Sequence, residues 1–181
     1  MGDSERCIDD EIPFEIPESW VWTRLSQIAE LQTGTTPATT IPEYYGKGIS
    51  FIKPGDIYID HINYDNESLT LLGASKSRII TANSVLMVCI GGSIGKCYYT
   101  EQDICCNQQI NSASPYFIDV HYLWYTLSSD MFQGQIHDNS GGTATPIINK
   151  NLWGQLYIPI PPLAEQQRIV YKLNEAYEHI K

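Results

Sequence analysis

The stretch SVLMVCIGGSIGKCYYT, residues 84–100, decides what kind of fold this chain builds. It opens with a short apolar run, 84–90, that ends in glycine, and a run of that length bounded by a turn signal reads as a buried strand. Gly91-Gly92-Ser93-Ile94-Gly95 then matches G-x-S-x-G, the turn that exposes a nucleophilic serine between a strand and a helix in α/β-hydrolases. Here the next residues are Lys96-Cys97-Tyr98-Tyr99-Thr100, an aromatic strand-like run where that fold needs a helix. The same turn is no phosphate loop. The first glycine of G-x-x-x-x-G-K-[ST] would fall on Ile90, and Cys97 stands where Ser or Thr is required. A glycine-rich turn between two strands is the reading these residues favour, with Lys96 available to a phosphate.

Working outward, the same punctuation covers the chain from Gly34 to about Ser114. Apolar runs at 49–52, 69–72, 84–90 and 97–100 are separated by Gly, Pro, Asn and Asp, and no run is long enough for a parallel crossover helix. Before this region, Trp20 and Trp22 alternate around Val21. Thr23 is then placed to cap a helix to Leu31, whose Leu25, Ile28, Ala29 and Leu31 fit a 3.6 period before Thr33-Gly34 stops it. After it, a second helix is expected over 120–132, then a Gly/Thr-rich loop over 134–149 and a strand over 155–160. The expected fold is therefore α+β: a twisted, largely antiparallel β-sheet domain with a few short helices, followed by a C-terminal helix.

That last helix has its own signature. Pro161-Pro162 forces extended backbone and then permits a helix to begin. Leu163, Val170 and Tyr177 recur every seven residues, and Gln166, Leu173 and Ile180 form a second row with Gln166 its polar member. This is an a/d seam of coiled-coil type, and equally the apolar face of a helix packed on its own domain. The helix runs to the final residue without a cap, as expected of a truncated element.

Charge and composition narrow the function. The 181 residues are 43% hydrophobic and 18% charged, enough for a sizeable core, and nothing approaches a membrane span or a secretory leader. A cytoplasmic location is expected. The net charge is -10, which argues against a free-standing nucleic-acid binder. The distribution softens this. Asp3, Glu5, Asp9, Asp10, Glu11, Glu15 and Glu18 face a single Arg6, so the first 18 residues carry -6 and leave -4 for 19–181. Residues 1–19 read as an acidic linker, 20–160 as the body and 161–181 as the start of the coiled-coil-type helix. Five cysteines, Cys7, Cys89, Cys97, Cys105 and Cys106, lack CxxC spacing, and His61, His121, His137 and His179 are scattered, so no metal site is expected.

No pair of carboxylates presents itself for acid–base work, and the Asn-Pro-Pro-Tyr tetrapeptide of methyl transfer is absent; no catalytic residue is expected. Polar, amide-rich turns stand out instead: 33–36, 44–47, Asn107-Gln108-Gln109, and 140–145 with 149–151. Asn and Gln read adenine bidentately in the major groove, and Thr, Ser, Lys and Arg add base and phosphate contacts.

In order along the chain, Ile16-Pro17-Glu18-Ser19-Trp20, Gly34-Thr35-Thr36-Pro37, Pro42-Glu43-Tyr44-Tyr45-Gly46, the Gly91–Lys96 turn, Asn107-Gln108, Gly141-Gly142 through Pro146-Ile147-Ile148-Asn149, and Pro161-Pro162-Leu163-Ala164-Glu165-Gln166-Gln167-Arg168-Ile169-Val170 resemble the target-recognition domain of a type I restriction–modification specificity subunit. The resemblance implies a non-catalytic DNA reader: two recognition domains per subunit, each reading half of a split target, held apart by long antiparallel helices. It implies duplex DNA, modification subunits and a restriction subunit as partners, with S-adenosylmethionine and ATP held by those subunits and no cofactor in this chain. The seam at Leu163, Gln166, Val170, Leu173, Tyr177 and Ile180 becomes spacer and docking surface, with a homodimer through this helix as one outcome. One recognition domain and one truncated helix suggest a fragment or half-subunit. Candidate DNA contacts are Thr35, Thr36, Tyr44, Lys47, Lys53, Lys76, Arg78, Lys96, Asn107, Gln108, Gln133, His137, Thr143 and Lys150, with specificity expected in 53–78 and 133–138. Two alternatives stay open: an interaction or sugar-binding module stacking ligand on Tyr44, Tyr45, Tyr98 and Tyr99, and a small hydrolase using Ser93 with Asp119 or Asp138 and His137 or His179.

Overall fold

The computed structural model describes residues 12, 14–142 and 145–179. In chain order its elements are β1 (Val21–Arg24), α1 (Leu25–Ile28), β2 (Ala29–Thr33), β3 (Tyr45–Ile52), β4 (Ser68–Leu69), α2 (Leu71–Ala74), β5 (Ser84–Val88), β6 (Cys97–Thr100), β7 (Cys105–Cys106), β8 (Ile110–Pro115), α3 (Val120–Ser128), α4 (Asp130–Asn139), α5 (Lys150–Gly154), β9 (Tyr157–Ile160) and α6 (Leu163–Glu178). Single 3-10 turns at Pro42–Tyr44 and Pro54–Asp56 bracket β3.

An antiparallel four-stranded sheet, order β2-β8-β5-β6, lies at the centre. β5 explains the apolar run that the sequence displays. All its residues are buried, and they alternate between two cores. Val85 and Met87 face the cluster built with α1, α3, α4 and α5 around Leu123, Leu127, Phe132 and Trp153. Leu86 and Val88 face the cluster built with Ile52, Ile57, Ile62, Ile80 and Ile104. A strand buried on both faces has no solvent side on which to place polar residues, so it reads as a continuous apolar run. The second layer is a small sheet of order β4-β3-β7, in which β3 and β7 run parallel, Phe51 opposite Cys105 and Ile52 opposite Cys106.

The first expected helix shrinks to one turn. Ala29 already has extended backbone (φ -146°, ψ 147°), and β2 pairs with β8 from Ala29 opposite Pro115 to Thr33 opposite Asn111. Pairing at the sheet edge outweighs the weak local 3.6 period. The single helix expected over 120–132 is two. Asp119 caps α3 by accepting from the amides of His121 and Tyr122, and Ser129 ends it and caps α4 by accepting from Phe132. α4 then runs to Asn139, inside the segment expected as loop, with Phe132 and Ile136 buried on one face and the helix carried through Gly134. Asn149 caps the short α5 through Leu152 N, a helix absent from the sequence reading.

α6 starts where the double proline allows, and it lies along α3. Gln166 is 3% exposed; its amide oxygen accepts from Asp119 N at 3.0 Å and its amide nitrogen donates to Pro161 O at 2.9 Å. The polar member of the seam therefore fastens the helix to its own domain. Val170 and Leu173 are half-buried, Tyr177 stacks on Tyr125 at 5.8 Å, and Leu163 is exposed. Ile180 lies outside the described residues.

A candidate nucleic-acid interface at one end of the sheet

Register places the functional loops. β2 ends at Thr33, opposite Asn111 near the start of β8; β5 ends at Val88, opposite Ile110; Met87 pairs with Cys97, the first residue of β6. The loops after β2, between β5 and β6, and before β8 consequently all leave the same end of the sheet. β3 and β7, being parallel, deliver residues 53–56 and 107–109 to that end as well, and Asn107 N donates to Ile52 O at 3.1 Å. The result is one rim built from segments far apart in sequence.

Glycine makes the closest approach in it. Gly34 N donates to Ile110 O at 3.0 Å and Thr35 N to Cys106 O at 2.9 Å. A Cβ on Gly34 would sit 2.2 Å from Asn107 O and 2.4 Å from Cys106 O, so no side chain fits. Thr36 Oγ1 then donates to Gln108 Oε1 at 2.6 Å. Segment 76–78 closes over this corner: Ser77 Oγ donates to Thr35 O at 2.6 Å and Arg78 Nη1 to Thr33 O at 2.6 Å. Thr35, Thr36, Arg78, Asn107 and Gln108 are thus brought together, with Lys76 exposed beside them.

The neighbouring part of the rim carries lysines. Lys53 pairs with Glu67, and its backbone amide donates to the buried Asp56 at 2.8 Å. Lys96 Nζ donates to Pro54 O at 3.2 Å and lies 5.5 Å from the centre of the Tyr58 ring. The Gly91–Lys96 turn is held by Gly91 and Gly95 at φ +94° and +88°, by Gly95 N donating to Val88 O, and by Gln133, whose amide nitrogen donates to Gly95 O at 3.0 Å and Leu127 O at 2.7 Å. Both amide protons of Gln133 are engaged within the chain, so it shapes the loop. The loop after α4 joins the rim through Gly91 N to Pro146 O at 2.9 Å and Ile148 N to Cys89 O at 3.0 Å.

The other expected contacts lie elsewhere. Tyr44, in the 3-10 turn before β3, and Lys47, early in β3, lie at the end away from Ile52, and Lys150 Nζ donates to Leu31 O at 3.2 Å along β2. Asn107, although it stands at the rim, is buried with its side chain bonded to Gln109. His137 is exposed at the end of α4, and Thr143 lies outside the described residues.

Among the described residues Ser93 Oγ makes no hydrogen bond to a histidine, and Asp119 is occupied capping α3. Burial pushes the Cys97 thiol up to about 11 and those of Cys89 and Cys106 to about 12, so at neutral pH all are protonated and poor nucleophiles. No group of three His, Cys, Asp or Glu that could hold a metal occurs among the described residues.

Comparison with known proteins completes the picture. Residues 17–181 match the family described as type I restriction modification DNA specificity domain, and the chain belongs to it. It is 30% identical over 151 residues to the type I restriction enzyme HindI specificity subunit of Haemophilus influenzae, covering 81% of this chain and 33% of that protein. It is 26% identical over 166 residues to the MjaIX specificity subunit of Methanocaldococcus jannaschii, covering 88% and 38%. The crystal structure of the HsdS subunit from Thermoanaerobacter tengcongensis superposes with a TM-score of 0.72 at 20% identity, over 93% of this chain and 40% of that one. The chain therefore spans about a third to two fifths of the length of these relatives.

Proposed function

We propose that this chain reads one half of a split duplex DNA target as a recognition domain of a type I specificity subunit, without catalysing a reaction itself. The observation that carries this reading is the rim: loops from separate strands converge at one end of a rigid sheet and present hydroxyl, amide and cationic side chains together. Such groups contact phosphates and base edges, and a rigid scaffold holds them in register. Residues 20–160 form the reading body, 161–181 the start of the spacer helix, and 1–19 the linker leading into it.

The rim offers Lys53, Lys76, Arg78 and Lys96, on a body carrying -4 over residues 19–181. Affinity from so few cations is modest, and the modification and restriction subunits supply the remaining positive charge along with S-adenosylmethionine and ATP. The exposed part of α6, Leu163 foremost, is the docking surface for those subunits or for a second copy. The test is selection of random duplex DNA by the chain co-expressed with its modification subunit. A short fixed motif supports the reading; DNA retention with no motif removes it.

A further inference from the structure

A cleft of about 720 Å³ opens beside the rim, between β6, α3 and α6, and its walls are aromatic. Tyr98 and Tyr99 stack with centroids 4.5 Å apart at 20°, and Trp124 stands edge-on to both at 4.9 and 5.6 Å. The row continues through Tyr125, 4.5 Å from Trp124, to Tyr177 on α6, 5.8 Å from Tyr125. Tyr99 and Trp124 pack in part against one core and Tyr98 against the other, and each still borders the cleft. The rings are half-buried, Tyr177 is 55% exposed, and the space they border falls within the size range of ligand sites, about 300–1,000 Å³.

The mouth of the cleft belongs to the rim. Lys96 and Gly95, from the β5–β6 turn, form one lip, and Ile59 with Asp60 form another. That second lip is the turn closed by Tyr58 N donating to His61 O, over a Tyr58–His61 stack with centroids 4.5 Å apart at 3°. Stacked rings accept any flat base. A lysine at the mouth suits a phosphate, and the Asp60 carboxylate beside it meets His61 Nδ1 at 2.7 Å.

We propose that the cleft takes one unpaired nucleotide of the bound DNA, its base stacked against the Tyr98–Trp124 wall and its phosphate at Lys96. This rests on the DNA-recognition reading and adds a single-nucleotide site to it. Drawing a nucleotide out of a duplex costs pairing and stacking, least at a distorted or mismatched step, and stacking in the cleft offsets it. No chemistry on the base is implied.

The test follows the indole N–H resonance of Trp124 in the full chain, assigned with Trp124→Phe, during titration with dCMP, dAMP and dTMP. The expected result is a saturable shift at Trp124 with each nucleotide, since stacking tolerates any base, and with Trp20, Trp22 and Trp153 unmoved. Tyr177→Ala, an exposed helix position that should not disturb folding, and Lys96→Gln should each weaken binding by about fivefold or more. No saturable shift, or a shift indifferent to Tyr177→Ala, overturns the proposal. So does displacement of the nucleotides by the modification subunit binding at Trp124 without DNA, which would make the cleft a protein-docking surface. If the duplex selection still returns a motif while nucleotides fail to bind, the cleft proposal falls alone; if both fail, the recognition reading falls with it.

Discussion

Gln166→Leu separates two roles for the terminal helix. A glutamine in an a/d seam that faces a partner is a specificity device, and leucine there leaves the isolated chain as stable or more so. In the structure Gln166 is buried and bridges Asp119 N, at the start of α3, to Pro161 O, at the entry to α6. Leucine fills the space but leaves one amide and one carbonyl without partners. Each such group costs roughly 1–3 kcal/mol when buried, and the added apolar contact returns part of that, for a net loss of about 2–4 kcal/mol. At about 2–4 °C per kcal/mol for a chain of this size, Tm falls by about 5–15 °C. With a urea m-value of about 2 kcal/mol/M the midpoint drops by roughly 1–2 M. Equilibrium unfolding of the purified chain, followed by circular dichroism, measures both. A change within about 0.5 kcal/mol, the range of ordinary surface substitutions, would refute the internal clamp and return Gln166 to a partner interface.

Gly34→Ala should cost about 2–4 kcal/mol, since its Cβ meets two carbonyl oxygens at 2.2 and 2.4 Å and must break the bonds that close the rim; thermal denaturation checks it, and a neutral result contradicts the close approach. Arg78→Ala should relax base preference at one position of the selected motif, by about 1–3 kcal/mol if it contacts a guanine, with the fold intact; an unchanged motif and affinity place Arg78 in structure alone. For the chain alone, log K against log salt should have a slope of about -3 to -4, because at most four rim cations neutralise phosphates; a slope near -8 would mean a different surface. Alkali should destabilise the fold. Cys89 and Cys106 hold their protons to about 12 when folded, against 9.0 when unfolded. Their contribution is complete below pH 9 and is lost as pH rises toward 12, where the unfolded state alone has released its protons. Urea midpoints at pH 7, 9 and 10.5 should therefore fall, and Cys106→Ser should flatten the decline.

The strand order was not readable from the sequence, yet much of the fold was. β5 announced itself because burial on two faces leaves no room for polar residues, and α6 because a double proline and a seven-residue repeat are strong signals. Residues 29–33 were misread because a helix turn and an edge strand both tolerate Glu-Leu-Gln-Thr; the ladder with β8, more than seventy residues away, decided between them. The Ser129 and Asn149 caps were present in the sequence, but such residues populate loops as readily, and only packing distinguishes a cap from a loop. Of the site, the polar turns at 33–36 and 107–109 were legible as turns, and their convergence was not, since it follows from register. The aromatic cleft hid for the same reason. Tyr98-Tyr99 drew notice as a pair, but Trp124, Tyr125 and Tyr177 lie on helices whose ring spacing reads as ordinary core.

The pairing of β1 with β9 sets Val21 beside Ile160 and Arg24 beside Tyr157, and Trp20 reaches across to Glu165 at 3.2 Å. Adjacent strands lie about 4.8 Å apart, so the chain enters and leaves the body through one narrow neck. Everything between is a closed excursion, and the helix that follows rests on it through α3, at Asp119 and Tyr125. A different excursion entering and leaving by the same neck would keep α6 in place only if it also preserved the α3 surface, Asp119 and Tyr125, on which that helix rests.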